Sequence, residues 1–547
     1  MQFHLGKHPR QISFLQGLLC SVTLAAGCVV AMPATLAAEK VTIRFGPFQH
    51  SLEIADLETF AKTGRLPENL EMFSSVLTPQ IRELLNRRLK LDPAFADKFV
   101  DELVRSPAGK QLVTSLGTAI PGSTVESLQT ALYLGLRQVN GLNVIDFLRA
   151  YPDKNITVDA TKALEIAVEL NPNSLQSQAL GVLLERQLLV NQNTAFQPSF
   201  DPATIGQAAV QQQSLTLQDQ KRQRLIPVDI YWSRVDAQAP LVVISHGFGA
   251  NRKFLTYLAR HLASHGITVA AIEHPGSNGA AVSRSSEKVN LAQLLPAREF
   301  IERPQDVSFL LNELAKLNTQ PGQLQGQFQT EKVTVIGHSL GGYTALALAG
   351  GEVNLEALQQ FCKTSLSVGE SPGDWLQCAA APLKEKKLQL KDERVKSAIA
   401  LNPLVGQLFG NNGLARINQP VLLLTSTDDV FTPTFKHQIA PFTQLRGAKY
   451  LVTAIGGTHL SILDSAYSVS AATTITKEKR GQETDSLRQL VRGVSLAFIK
   501  QQTPDAKTYS PFLTPAYAQS LSTRQLPLRL NSDLPENLKS WLGLVQK

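Results

Sequence analysis

Beyond residue 220 the chain alternates between two hydrophobic periods. Short β-branched runs, apolar nearly throughout, occur at Leu225–Trp232, Leu241–His246, Ile267–His274, Val333–Gly337, Val395–Leu401, Val421–Thr425 and Tyr450–Ile455. Between them apolar residues recur at helical spacing, in Phe254–His265, Pro304–Leu317, Gly342–Ala349 and Thr434–Leu445, and a last helical run covers Ser486–Gln501. Strands that lack a polar face and are separated by amphipathic helices predict a mainly parallel sheet covered by helices. The segment 351–394 interrupts this rhythm with many charges. Its place in the order predicts a lid-like insertion at the functional end of the sheet, with a plain solvent-exposed excursion as the alternative.

The first part of the chain has a different pattern. From Phe45 to about Leu189 it reads as helical and poor in strands. Asp92-Pro93 starts a helix in which Phe95, Phe99 and Leu103 recur every four residues. Ser123 and Glu126 form a capping box ahead of Leu128 and Leu132. Val144, Phe147, Leu148 and Tyr151 share one face of another helix. These stripes predict an all-helical domain over 39–190, followed by a Gln-, Ser-, Thr- and Pro-containing linker at 191–220. The sheet-forming domain then covers 221–502, and the tail 503–547 has no clear pattern.

A chain of 547 residues is too long for one ordinary core. With 43% hydrophobic and 18% charged residues the bulk should be globular. The net charge of +8 is not gathered into Lys/Arg-dense runs with interleaved aromatics, which argues against nucleic acid as a partner. It leaves peripheral contact with an anionic membrane open, and oligomeric state is not legible. Lys7 and Arg10, the apolar stretch from Leu15 to Met32 and the small residues Thr35-Leu36-Ala37-Ala38 read as a cleaved signal over 1–38, hence a periplasmic or extracellular protein. An uncleaved membrane anchor is the alternative. Cys20 and Cys28 fall inside this segment, which leaves Cys362 and Cys378 as a candidate disulfide or as two separate thiols.

The run Val333-Thr334-Val335-Ile336-Gly337-His338-Ser339-Leu340-Gly341-Gly342 carries the chemistry. A G-x-S-x-G between an apolar strand and a helix-forming run predicts a sharp turn that presents the Ser339 hydroxyl as a nucleophile. Such a hydroxyl needs a base within hydrogen-bond reach. His459 follows the last predicted strand in Gly456-Gly457-Thr458-His459, a position from which its ring can approach the serine. The acid that orients the base should follow the preceding strand, where Asp428 and Asp429 compete. Asp429, four residues before Pro433, is selected, and Asp428 is left to cap a turn. Backbone N–H groups of Leu340, after the serine, and Phe248, in His246-Gly247-Phe248-Gly249-Ala250, are the candidate oxyanion donors. His246 is expected to brace that loop. For His274 a pocket-lining role and a structural one are both open. No metal ligand pattern and no organic cofactor is implied.

Together, Gly337–Gly342, Ser245–Ala250, Ala271-Ile272-Glu273-His274-Pro275-Gly276 and Arg303-Pro304-Gln305-Asp306 resemble the platelet-activating-factor acetylhydrolase-like and predicted dienelactone-hydrolase group of α/β-hydrolases. The resemblance covers roughly 224–501, and the segment before it is similar to a domain of unknown function found ahead of such hydrolases. It implies the α/β-hydrolase fold and a calcium-independent serine esterase or lipase acting on a small-molecule or lipid ester. Dienelactone hydrolases carry a cysteine nucleophile where this chain has Ser339. Acyl transfer to an alcohol by the same three residues and a non-catalytic lipid-binding module are the competing functions.

Overall fold

The computed structural model describes residues 38–539 with interruptions, of which the longest are 87–113, 164–171, 285–293 and 469–477. The expected signal through Ala37 and the helix expected after Asp92-Pro93 lie outside the described residues. The chain divides into two compact units, Met1–Ala163 and Leu164–Lys547.

The first unit is not all-helical. It contains a three-stranded sheet of β1 (Lys40–Phe45), β2 (Phe48–Glu53) and β3 (Asn155–Asp159), in the order β2-β1-β3. β2 runs antiparallel to β1, and β3 runs parallel to it. The residues of β1 and β3 alternate in character, Lys-Val-Thr-Ile-Arg and Asn-Ile-Thr-Val-Asp, as a half-buried strand should. The strands are short and β3 lies far along the chain from its partner, so the helical stripes between them dominate a local reading. Helices α1 (Ile54–Thr63), α2 (Val125–Leu136) and α3 (Val144–Ala150) bury Phe60, Leu128 and Leu148 against Val41, Leu52 and Ile156 of the sheet. The capping bonds before α2 join Thr124 and Ser127, each backbone N–H donating to the other's hydroxyl at 3.0 and 3.1 Å. The predicted pair was Ser123 with Glu126, one residue out of register.

The second unit is built on nine strands. They are β4 (Gln211–Asp219), β5 (Arg224–Trp232), β6 (Leu241–Ser245), β7 (Val269–Ile272), β8 (Val333–His338), β11 (Val395–Leu401), β12 (Val421–Ser426), β13 (Lys449–Ala454) and β14 (Leu528–Asn531). A separate two-stranded ribbon, β9 (Glu352–Asn354) with β10 (Lys387–Gln389), lies in the 351–394 insertion. The large sheet has the order β14-β13-β12-β11-β8-β6-β7-β5-β4. The strands from β7 through β13 are parallel, and β4, β5 and β14 are antiparallel to their inner neighbours.

Period two separates its two faces. Val243, Val335, Ala398 and Leu423 pack on one side with Phe300, Val307, Leu311 and Leu346. Their neighbours Val242, Ile336, Ile399 and Leu422 pack on the other with Leu258, Leu262, Leu490 and Phe498. The covering helices are α4 (Pro172–Gln187), α5 (Thr256–Ser264), α6 (Glu299–Thr319), α7 (Leu340–Leu348) and α10 (Asp485–Lys500). In the insertion lie α8 (Leu355–Thr364) and α9 (Pro372–Gln377).

Three expected boundaries move. α4 falls within the expected first domain, yet Leu180, Leu184 and Leu188 belong to the core of the sheet. The second half of the expected linker is β4, which pairs antiparallel with β5 along its whole length. As an edge strand of sequence QQQSLTLQD it has almost no apolar face to betray it. The tail returns through α11 (Pro515–Ser520) to β14, where Leu528 and Leu530 are buried. α6 begins at Glu299, ahead of the predicted start at Pro304. A proline inside a helix leaves the carbonyl four residues back unpaired. Here that carbonyl, of Phe300, accepts the Tyr343 hydroxyl of α7 at 2.7 Å. Cys362 and Cys378 form a disulfide with Cα atoms 5.8 Å apart.

Candidate active site

β8 turns into α7 at Ser339, which has φ 53° and ψ −118°. For a residue with a side chain this is a costly conformation, about 1–3 kcal/mol, and it persists only where the surroundings over-determine it. They do. The Ser339 N–H donates to Leu401 O at 3.0 Å, and its carbonyl accepts Gly342 N–H and Leu404 N–H, both at 2.9 Å. The glycines of the motif let the segments close on one another. A Cβ on Gly337 would sit 1.9 Å from the Gly341 oxygen, and one on Gly341 would sit 2.0 Å from the Ser245 oxygen.

His459 and Asp429 come to the same end of the sheet, after β13 and β12. The His459 Nδ1–H donates to Asp429 Oδ2 at 2.7 Å, which leaves Nε2 as the unprotonated nitrogen of the neutral ring. The carboxylate is saturated by other donors. Its Oδ1 accepts the Phe431 and Thr432 N–H groups at 2.9 and 2.8 Å, and its Oδ2 also accepts the Thr432 hydroxyl at 2.8 Å. Asp429 is fully buried and His459 is 5% exposed. Burial is the largest influence and opposes charging the ring, but the charge and hydrogen bond of Asp429, with the charge of Glu478, together outweigh it and raise the His459 pKa above the ordinary value. Asp428 does not approach the ring in this way. Its Oδ2 is 3.8 Å from Lys479 Nζ, and burial raises its pKa.

Ser339 and His459 line one cavity of about 80 Å³ with Gly247, Phe248, Leu376, Phe431, Leu460 and Tyr467. Leu340 is the first residue of α7, so its N–H is one of those a helix leaves without an internal partner. Phe248 lines the cavity from the loop after β6. Among the described residues no group of three or more His, Cys, Asp or Glu could hold a metal ion.

Two side chains that the sequence did not single out fix the His459 loop. His338 Nε2–H donates to the His459 carbonyl at 3.0 Å, and Asn402 Nδ2 donates to the same oxygen at 3.2 Å. Asn402 has φ 41°, a left-handed conformation that asparagine tolerates better than most residues. That outlier is visible only in the structure.

A second buried network lies behind the Phe248 loop. His246 donates from Nδ1 to Gly247 O at 2.7 Å and accepts His274 N–H on Nε2 at 2.9 Å, so it braces the loop. His274 does not line the cavity. Its Nδ1–H donates to Asp306 Oδ2 at 3.0 Å, and its Nε2 faces Ser245 Oγ at 3.0 Å. Arg303 is wholly buried and donates to Ser277 Oγ at 2.7 Å, to Thr344 Oγ1 at 3.2 Å and to the His246 carbonyl. Burial lowers its pKa to about 10, against the pull of Glu299 and Asp306. Asp306 is held in turn by Arg224, through two bonds at 2.8 and 2.9 Å, and by Arg222 at 2.7 Å. The Arg303-Pro304-Gln305-Asp306 motif thus supports the loop that carries Phe248 and lies outside the cavity itself.

The sheet order, its helical cover and the sharp turn at the end of β8 define the α/β-hydrolase fold. Residues 241–472 match the model of a family described as "Alpha/beta hydrolase family", and residues 37–159 match one described as "Alpha/beta hydrolase of unknown function". The chain resembles the platelet-activating factor acetylhydrolases. It is 23% identical to that of Cavia porcellus, over 48% of this chain and 57% of the relative. It is 32% identical to that of Canis lupus familiaris and 26% identical to that of Bos taurus, each over 21% of this chain and 32% of the relative. The chain therefore spans between a third and just over half of the length of these relatives. The likeness supports a hydrolase of the lipase or esterase type.

Proposed function

We propose that this protein is an exported serine esterase that cleaves carboxylic esters, with lipid or phospholipid esters as its substrate class. Ser339 is the nucleophile, His459 the general base and Asp429 the residue that orients the base. The observation that carries the reading is the 2.7 Å bond from His459 to a saturated, buried Asp429, on a ring that shares its cavity with a serine held in a strained turn.

In this reaction the neutral His459 Nε2 takes the Ser339 hydroxyl proton as the oxygen attacks the ester carbonyl. Asp429 stabilises the resulting imidazolium. The N–H groups of Leu340 and Phe248 bind the developing oxyanion. The alkoxide leaving group departs with the proton held by His459, which leaves an acyl-serine. Water then attacks that acyl group with His459 again as base, and the carboxylic acid is released. The relatives' printed name, platelet-activating factor acetylhydrolase, supports a small-molecule or lipid ester as substrate.

The test is a panel of aryl and phospholipid esters run on the wild type and on Ser339→Ala, with fluorophosphonate labelling alongside. The wild type should hydrolyse members of the panel and label at Ser339. The variant should not label, and should lose at least about 10^4-fold in turnover. Full turnover by the variant would end this reading.

A further inference from the structure

Among the described residues that line the cavity with Ser339, Leu376 is contributed by the insertion at 351–394, and it is 7% exposed. It sits in α9, a helix of six residues that would have little stability alone. Its surroundings fasten it on every side. At its start the Ser371 hydroxyl accepts Asp374 N–H at 3.1 Å, and the Asp374 carboxylate accepts the Ser371 N–H at 3.2 Å. Gly373 N–H donates at 2.8 Å to the carbonyl of Phe431, which also lines the cavity. A Cβ on Gly373 would lie 2.4 Å from that oxygen, so only glycine permits this approach. Asp374 Oδ1 is 3.3 Å from His437 Nε2 and accepts Gln377 Nε2 at 2.9 Å. Gln377 Oε1 accepts Gln407 N–H at 2.7 Å. Immediately after α9, Cys378 is joined to Cys362 of α8.

We infer that α9 is a fixed wall of the cavity, held by the disulfide and by the acid-bearing loop, and that Leu376 sets the length of acyl chain accepted at Ser339. The inference rests on the ester-hydrolase reading above. A mobile helix would give way to a longer chain at little cost. A tethered one cannot, and forcing extra methylenes into a packed apolar site is unfavourable. Truncating Leu376 removes the obstruction, and enlarging it advances the wall. In an apolar pocket a change of one or two carbons shifts specificity by about tenfold or more.

The experiment compares kcat/KM for p-nitrophenyl acetate, butyrate and octanoate, a series in which the leaving group is constant. The octanoate-to-acetate ratio should rise about tenfold in Leu376→Ala and fall about tenfold in Leu376→Trp. The double variant Cys362→Ser, Cys378→Ser keeps the leucine but frees its tether, and should move the ratio in the same direction as Leu376→Ala by a smaller factor. A matched series of acetate esters with different phenols should keep its ratios in all three variants. Ser339→Ala separates the two claims. If that variant is inactive while the octanoate-to-acetate ratio stays fixed in both Leu376 variants and in the cysteine pair, the wall is overturned and the esterase stands. If the wild type cleaves none of these esters, or if Ser339→Ala cleaves them as well as the wild type, both are overturned.

Discussion

Two of the buried histidine–aspartate pairs in the second unit, both bonded through the ring Nδ1, have opposite character. His459 donates to Asp429 at 2.7 Å, and His274 donates to Asp306 at 3.0 Å. Both rings are deeply buried. Around His459 the net effect of Asp429 raises the pKa. Around His274 burial pushes it well below the ordinary value, and Arg303, Arg224 and Arg222 reinforce the depression. The free nitrogens also differ in outlook. His459 borders a cavity with Ser339, whereas His274 Nε2 is taken up by Ser245. An aspartate partner alone therefore does not make a histidine a base. The charges beyond the aspartate, and what the second nitrogen faces, decide between proton transfer and scaffolding.

The comparison is broken most severely at Asp429. Asp429→Asn removes the acceptor that fixes the His459 tautomer, and kcat should fall about 10^3–10^4-fold with the fold intact by circular dichroism. Asp306→Asn should act on stability instead. It leaves Arg222 and Arg224 without their shared carboxylate and should cost about 3–5 kcal/mol in denaturant unfolding. If the two substitutions had interchangeable effects, the distinction between the pairs would fail.

Arg303→Lys should lower kcat about 10–100-fold, because a lysine cannot reproduce the fork that holds the His246 carbonyl and Ser277 together. KM should change less than kcat, since the side chain lies outside the cavity and acts through the Phe248 loop.

The pairs also separate in pH. His459 must be neutral to accept a proton, and its pKa is raised, so the acid limb of kcat/KM should have its midpoint above about 6.5. For stability the signs oppose. The raised pKa of His459 contributes stability below about pH 6.5 that is lost as pH rises through its folded value. His246, His274 and His338 are depressed and buried neutral, so the unfolded chain takes up their protons first. Their stability is present above about pH 6.5 and is lost as pH falls. His261 and His265 are depressed by burial as well, so with five such groups against one, Tm should decline from pH 7 to pH 5 while His459 still titrates in the rate profile. The smallest effect belongs to Asp428→Asn, which should change kcat less than about threefold, since that carboxylate approaches Lys479 and not the His459 ring.

Much of this was legible in sequence because the sheet is parallel and buried. Its inner strands are mostly apolar, and β8, β11 and β12 need no knowledge of their partners to be recognised. The turn at Ser339 declares itself through glycines that have no other reason to cluster. The offset from Pro433 that hydrolases of this fold share favours Asp429 over Asp428, and Asp429 is the carboxylate that His459 bonds. What escaped was non-local or weakly patterned. β4 is an edge strand made largely of glutamine, and β14 joins the sheet from the far end of the chain. β1 and β3 pair across most of the first unit. His338 and Asn402 were silent because their task is to hold a carbonyl in another loop, and nothing in their own neighbourhood specifies that partner.

The central claim is tested most directly by trapping the intermediate. The enzyme is mixed briefly with p-nitrophenyl acetate, quenched in acid, digested and examined by peptide mass spectrometry. The account predicts an acetyl group on the peptide containing Ser339 in the wild type, formed above the His459 midpoint and preserved by the acid quench, which protonates His459 and stops its activation of water. Steady hydrolysis with the acetyl group on another residue, or undiminished hydrolysis in Ser339→Ala, would contradict it.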